Sequence, residues 1–242
     1  MKKHKGKIQM GIVIGIFSAI LITCLISVFS QFYTEEKEKE EFRQLADIVT
    51  EKTTETEITR KPNIIKISGS DVENRSEQPM YYTTDYQPHS ISELTSMNSD
   101  CFGWISIKGT NINYPVMHTP DNPQMYLNRN FYCEYSFSGV PFLDGRCSAD
   151  STNLIIYGHH MNNGTMFADL CNYTDYSYFT EHPTVVLETK DGPFPYSVFS
   201  VIKVKSDDDW YRFTTVGTEK SYNSRIEYAK EKSIYNTSMR SC

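Results

Sequence analysis

The sequence predicts a mostly β domain, a barrel or sandwich with peripheral helices, carried behind a single N-terminal transmembrane helix. Three observations lead there. Met10 to Phe29 runs MGIVIGIFSAILITCLISVF without one charged side chain. From Ser90 onward, short apolar or alternating segments are cut by Gly, Asp and Pro at close intervals, the mark of many short strands. Between the two lies a charged, mostly aperiodic stretch that reads as a spacer. A length of 242 residues accommodates one ordinary domain with appendages. The net charge of −6 argues against a nucleic-acid binder, which would show a basic face. With 12 Gly and 10 Pro, the chain is neither collagen-like nor low in complexity.

As a helix, the apolar run rises about 30 Å, the thickness of the hydrocarbon core. Lys2, Lys3, Lys5 and Lys7 precede it, while Glu35, Glu36, Glu38, Glu40 and Glu41 dominate its far side. The positive-inside rule therefore puts residues 1–9 in the cytoplasm and everything after Ser30 outside the cell. A cleaved signal peptide would have an apolar core of about 7–15 residues and a small-residue cleavage site. Here the run is longer and passes into SVFSQFYTEE, so an uncleaved anchor over residues 10–30 is expected. Residues 31–89 read as a charged stalk and linker. Phe42, Leu45, Ile48 and Val49 stand at helical spacing, which predicts a short amphipathic helix that docks on the domain or continues the anchor. From Thr50 to about His89 the chain is polar and aperiodic, a linker or plain disorder.

The globular domain is expected over residues 90–242. Ser90-Ile-Ser-Glu93 has the form of a capping box, with Leu94 and Met97 as the apolar face of a short helix. Strands are predicted at Trp104–Lys108, Ile112–Met117, Val140–Leu143, Asn153–Tyr157 and Thr184–Thr189. A further one, Tyr196–Val204, alternates over its whole length. Helices are predicted between Thr165 and Tyr173 and around Lys220–Lys232.

Cysteine usage supports no disulfide framework. Cys24 lies in the apolar run, and Cys101, Cys133, Cys147, Cys171 and Cys242 are odd in number and show no C-x-x-C spacing. The segment Leu154-Ile-Ile-Tyr-Gly-His-His-Met161 runs a buried strand into a Gly turn and presents His159 and His160 at its mouth. An imidazole with a pKa of about 6.5 is the usual acid–base group near neutral pH. Taken alone, the pair reads more readily as turn residues than as a site. No carboxylate or third His stands at metal-ligand spacing, so neither a metal nor a cofactor is expected.

The blocks GWISIKGTNINYPVMH, YLNRNF, SGVPFLD, NLIIYGHHMNNGTMFADL and YSVFSVIKV occur in that order. Together they closely resemble the class B sortases, membrane-anchored cysteine transpeptidases of Gram-positive bacteria. The resemblance runs from about Ser92 to Asn236. It implies a sortase β-barrel of about eight strands. It also implies an enzyme that cleaves a C-terminal sorting signal of surface proteins and joins them to an amine of the peptidoglycan cross-bridge. By its register His159, the first His after Tyr-Gly, is the catalytic one. A substrate groove is implied at Asn113 and Met117 on the INYPVM strand, at Tyr157, and at Ser206, Trp210 and Tyr211 in the loop after YSVFSVIKV. In the family a cysteine thiolate attacks a threonine carbonyl, the His protonates the departing amine, and an Arg stabilises the tetrahedral oxygen.

The family pattern continues with T-L-S-T-C on a strand and an Arg on the next. Here Glu231-Lys-Ser-Ile-Tyr-Asn236 is followed by Thr-Ser-Met-Arg-Ser-Cys242. Arg240 precedes the Cys and is out of position. Either Cys242 stands in for the family nucleophile, or the last two strands are missing and Cys242 is incidental. A reactive thiol needs an electropositive neighbourhood, which a frayed terminus beside a free carboxylate does not supply. The sequence reading therefore expects a truncated, inactive chain. Its alternative function is a membrane-anchored module that binds sorting signals without turning them over.

Overall fold

The computed structural model describes residues 2–51 and 89–235. The chain divides into two compact units, Met1–Leu45 and Ala46–Cys242. Helix α1 covers Lys2–Glu51 without a break. Over Ile14–Ile48 it is long and apolar enough to cross a membrane. Ile14, Ile16, Phe17, Ile20 and Ile22 are all exposed on it and point round its whole circumference, the apolar-all-round pattern that suits lipid better than water. The amphipathic stalk segment continues the same helix, with Lys39–Glu36 at 3.0 Å as an i,i+3 ion pair. Most of the expected linker, residues 52–88, lies outside the described residues.

The domain is built on one six-stranded sheet, a half-barrel with helices around it. Its strands are β1 (Cys101–Ser106), β2 (Asn113–Met117), β3 (Phe142–Leu143), β4 (Ile156–Tyr157), β5 (Thr184–Thr189) and β6 (Gly192–Ser197). The order across the sheet is β4-β3-β2-β1-β5-β6. β1 is central and runs antiparallel to both β2 and β5. β2 meets β3 in parallel, β4 closes antiparallel on β3, and β5–β6 form a hairpin. Trp104, Val116, Met117, Leu143 and Leu187 fill the core from successive strands. Each such side chain contributes roughly 1.5–3 kcal/mol on burial.

Among the described residues, three α-helices accompany the sheet: α2 (Ile91–Met97), α3 (Tyr176–Glu181) and α4 (Glu219–Lys232). α4 matches its expected range and shows why. Thr218 caps it by accepting from the Ser221 backbone N–H at 3.2 Å, Glu219 stands in its first turn, and Lys230 and Lys232 stand in its last.

Four expectations are corrected. Ser90 is the N-cap of α2, but its side chain makes no capping bond. Its backbone carbonyl instead accepts from Glu93 and Leu94, both at 3.1 Å, so no capping box forms. The helix expected at Thr165–Tyr173 is a 3₁₀ helix at Ala168–Thr174, which passes into α3 after Asp175 caps the new turn. The strand expected at Asn153–Tyr157 keeps only Ile156–Tyr157. The backbone N–H and side chain of Asn153 are drawn to Thr214 O and Phe213 O instead. The strand expected at Tyr196–Val204 begins earlier, in the hairpin, and ends at Ser197. Beyond it the backbone finds scattered partners among the described residues, such as Pro183 O for Val198 and the Ile202–Ser233 bridge. Alternation announces a two-faced environment; a ladder also needs a continuous neighbour.

Candidate active site

Register brings the first site residues together. Met117 pairs with Phe142, and Phe142 pairs with Tyr157, so the three form one row across β2, β3 and β4. Met117 is fully buried and serves as the floor of this row, while Tyr157 is half-buried. After Tyr157 the chain turns at Gly158, where a Cβ would stand 2.6 Å from the Phe167 ring. The close approach lets the Phe167 N–H donate to the carbonyl of His159 at 2.9 Å, which fixes the backbone at that residue.

The imidazole of His159 is then oriented by the chain thirty-two positions earlier. Its Nε2 lies 2.8 Å from the backbone carbonyl of Leu127, at the 3₁₀ turn Met125–Asn128. A carbonyl only accepts, so Nε2 carries the proton and Nδ1 is the nitrogen left to exchange one. His160 points to solvent, and its backbone bridges to Met166. The two histidines are thus physically distinct: one is held by the fold and one is not.

Beside Tyr157 lies a polar cluster that the sequence reading missed. Asp144, buried after β3, accepts from Arg146 Nε on Oδ1 at 2.9 Å and from Nη2 on Oδ2 at 2.7 Å. Its Oδ2 also accepts the Tyr157 hydroxyl at 2.8 Å. Arg146 Nη2 reaches on to the Tyr211 carbonyl at 2.6 Å. The Arg146 bonds hold the Asp144 carboxyl well below the usual carboxylate range. Burial, then the bond to Asp144, push the Tyr157 hydroxyl up to about 12, so it stays a proton donor at neutral pH. The only early signal was the spacing Asp-Gly-Arg beside an apolar strand. Leu127 gave none, because it acts through its peptide carbonyl.

The loop after β6 packs against Tyr157. Trp210 and Tyr211 sit in the 3₁₀ turn Asp209–Arg212, capped by Asp208, which accepts from the Trp210 N–H at 2.9 Å. The Tyr211 ring stacks near Tyr157, with centroids 6.4 Å apart and planes at 25°. Ser206 is exposed a few residues earlier. Asn113 is not brought to this group. It lies at the other end of β2 from Met117, about 13 Å along an extended strand, and accepts the Trp104 indole N–H at 2.7 Å. Cys242 and Arg240 lie outside the described residues.

The described cysteines are free thiols. Burial pushes the Cys101 thiol up to about 12, and burial also raises Cys147, whose Sγ donates to the Asn153 carbonyl at 3.4 Å. Cys133 lies 3.4 Å from the Tyr126 hydroxyl, and Cys171 is exposed on the 3₁₀ helix that precedes α3. Among the described residues, none of these thiols is hydrogen-bonded to His159.

Comparison with known proteins accounts for this arrangement. A family model described as the sortase domain matches residues 105–232. Sortase B of Staphylococcus aureus is 30% identical over 186 residues, covering 71% of this chain and 75% of that protein. Sortase B of Listeria monocytogenes is 31% identical over 152 residues, covering 62% and 61%. Among solved structures, a Staphylococcus aureus sortase B–substrate complex matches with a TM-score of 0.58 at 32% identity, covering 62% of this chain and 69% of that one. Sortase B of Clostridium perfringens matches with a TM-score of 0.59 at 30% identity, covering 63% and 84%. The chain belongs to the sortase family, the cysteine transpeptidases, and within it to class B.

Proposed function

We propose that this sortase takes the C-terminal sorting signal of a surface protein into a groove lined by Tyr157 and the Ser206–Tyr211 loop, with His159 as its acid–base group. The observation that carries the proposal is the His159–Leu127 bond, which leaves Nδ1 as the proton-exchanging nitrogen two residues beyond Tyr157. Cys242 is the candidate thiol. Its thiolate adds to the threonine carbonyl of the signal, forming a C–S bond. The C–N bond then breaks, and the imidazolium of His159 gives its proton to the departing amine. An amine of the peptidoglycan cross-bridge next attacks the thioester carbonyl, loses its proton to His159, and releases the thiolate.

Helix α1 fits the role of anchor, with the N-terminal lysines in the cytoplasm and the domain outside the membrane. The expectation of an inactive chain concerns residues 236–242, outside the described residues. One experiment separates the two readings. The full chain in detergent is given a synthetic sorting-signal peptide built around a threonine. Cleavage that disappears in Cys242→Ala establishes the transpeptidase reading with that thiol. Saturable binding without cleavage establishes a module that holds sorting signals.

A further inference from the structure

We infer that Asp144 and Arg146 form a strap that holds the Tyr211 loop against Tyr157, and so shapes the wall along which the sorting signal is received. The inference rests on the groove reading above and adds two positioning residues to it. Asp144 and Arg146 lie between β3 and β4, and the loop they hold is 65 positions further along the chain. The guanidinium is shared. Its Nε and Nη2 engage both Asp144 oxygens, and the same Nη2 reaches the Tyr211 carbonyl at 2.6 Å. The Arg146 backbone N–H adds a bond to Oδ1 at 2.9 Å, so the turn that carries the guanidinium is pinned to the carboxylate it binds. Because Tyr157 donates to that carboxylate too, Tyr157 and the Tyr211 loop are referred to one group. A planar fork can bridge in this way; a lysine ammonium cannot hold the same geometry.

The strap is separable from the fold of the loop. Asn153 binds the Phe213 carbonyl at 2.5 Å and accepts nothing from Arg146, while its backbone N–H donates to Thr214 O at 3.1 Å. These bonds tether the far end of the loop to the turn before β4. Removing Arg146 therefore frees the Trp210–Tyr211 turn while its C-terminal flank stays attached.

The protein holds two tryptophans, and Trp104 is fully buried, so acrylamide quenching reports on Trp210. The test compares the full chain in detergent with Arg146→Gln, Arg146→Lys and Tyr157→Phe. Thermal melting is recorded alongside binding of the threonine-centred sorting peptide. Arg146→Gln is expected to raise quenching about two-fold and weaken peptide binding about ten-fold, as loss of a charge-assisted bond would. Arg146→Lys should change both in the same direction, and it carries the test if the Gln variant does not fold. Tyr157→Phe, which leaves the Asp144–Arg146 pair intact, should keep the quenching of the unsubstituted chain. Unchanged quenching in both Arg146 variants overturns the strap. Raised quenching with unchanged peptide affinity overturns its role in setting the groove. A peptide that fails to bind the unsubstituted chain overturns the sorting-signal reading instead, and quenching then judges the strap alone.

Discussion

His159 and Leu127 are joined by a bond from Nε2–H to a backbone carbonyl at 2.8 Å. The position of that carbonyl is in turn set by Gly139. A Cβ at Gly139 would stand 2.5 Å from Leu127 O and 2.5 Å from Tyr126 O, and the residue has φ +59. Both facts exclude a side chain there. The orientation of the His159 imidazole thus depends on a glycine it does not touch.

The first prediction concerns that glycine. Gly139→Ala should destabilise the domain by about 1–3 kcal/mol, the usual cost of a non-glycine residue held in the left-handed region. It should also disturb the His159 ring, visible as a shifted imidazole ¹⁵N resonance with loss of the fixed Nε2–H tautomer. A variant with parental urea stability and an unmoved His159 signal would refute the dependence.

The second concerns Asp144. Its carboxyl is held well below the usual range in the folded chain, chiefly by the Arg146 bonds. The stabilisation is therefore complete above about pH 4, where the unfolded carboxyl is ionised, and is lost as pH falls toward the depressed folded value. Asp144→Asn should cost about 1–3 kcal/mol at pH 7, the price of a broken buried charged network. The gap to the parent should narrow steadily below about pH 4. Chemical denaturation at a series of pH values measures it, and a constant gap down to pH 2 would contradict the account.

A third prediction follows from α1. Protease treatment of intact cells should remove the domain and leave a short membrane-bound fragment containing the Ile14–Ile48 helix. Recovery of a mature protein beginning near Gln31 would show a cleaved signal instead.

The parts of this fold legible in the sequence were those written in bounding turn residues or capping chemistry. β5 is a short apolar run stopped by Lys-Asp-Gly, α4 carries an N-cap with matched end charges, and both stand at or within a residue of their expected bounds. The Tyr-Gly-His turn exposed His159 as a candidate because the family register singles out that position. What stayed hidden was written in main-chain partners. Leu127 acts through a carbonyl, and Asn153 leaves the expected strand for the carbonyl of Phe213. Asp144 and Arg146 are close in sequence, but the contact that gives them meaning, with Tyr211, is set by tertiary packing. Asn113 illustrates the converse. The pattern put it beside Met117 on one strand, while the indole of Trp104 claims its side chain at the far end.

The central claim is that His159, and not its neighbour, handles the proton of the scissile amine. It is tested most directly by thiol-dependent cleavage of the sorting peptide in His159→Ala and His160→Ala forms of the full chain. The account predicts that His159→Ala lowers cleavage by about 10²–10⁴-fold, the usual worth of a positioned acid–base group, while His160→Ala retains it. Cleavage that survives in His159→Ala, or that is lost only in His160→Ala, would contradict it.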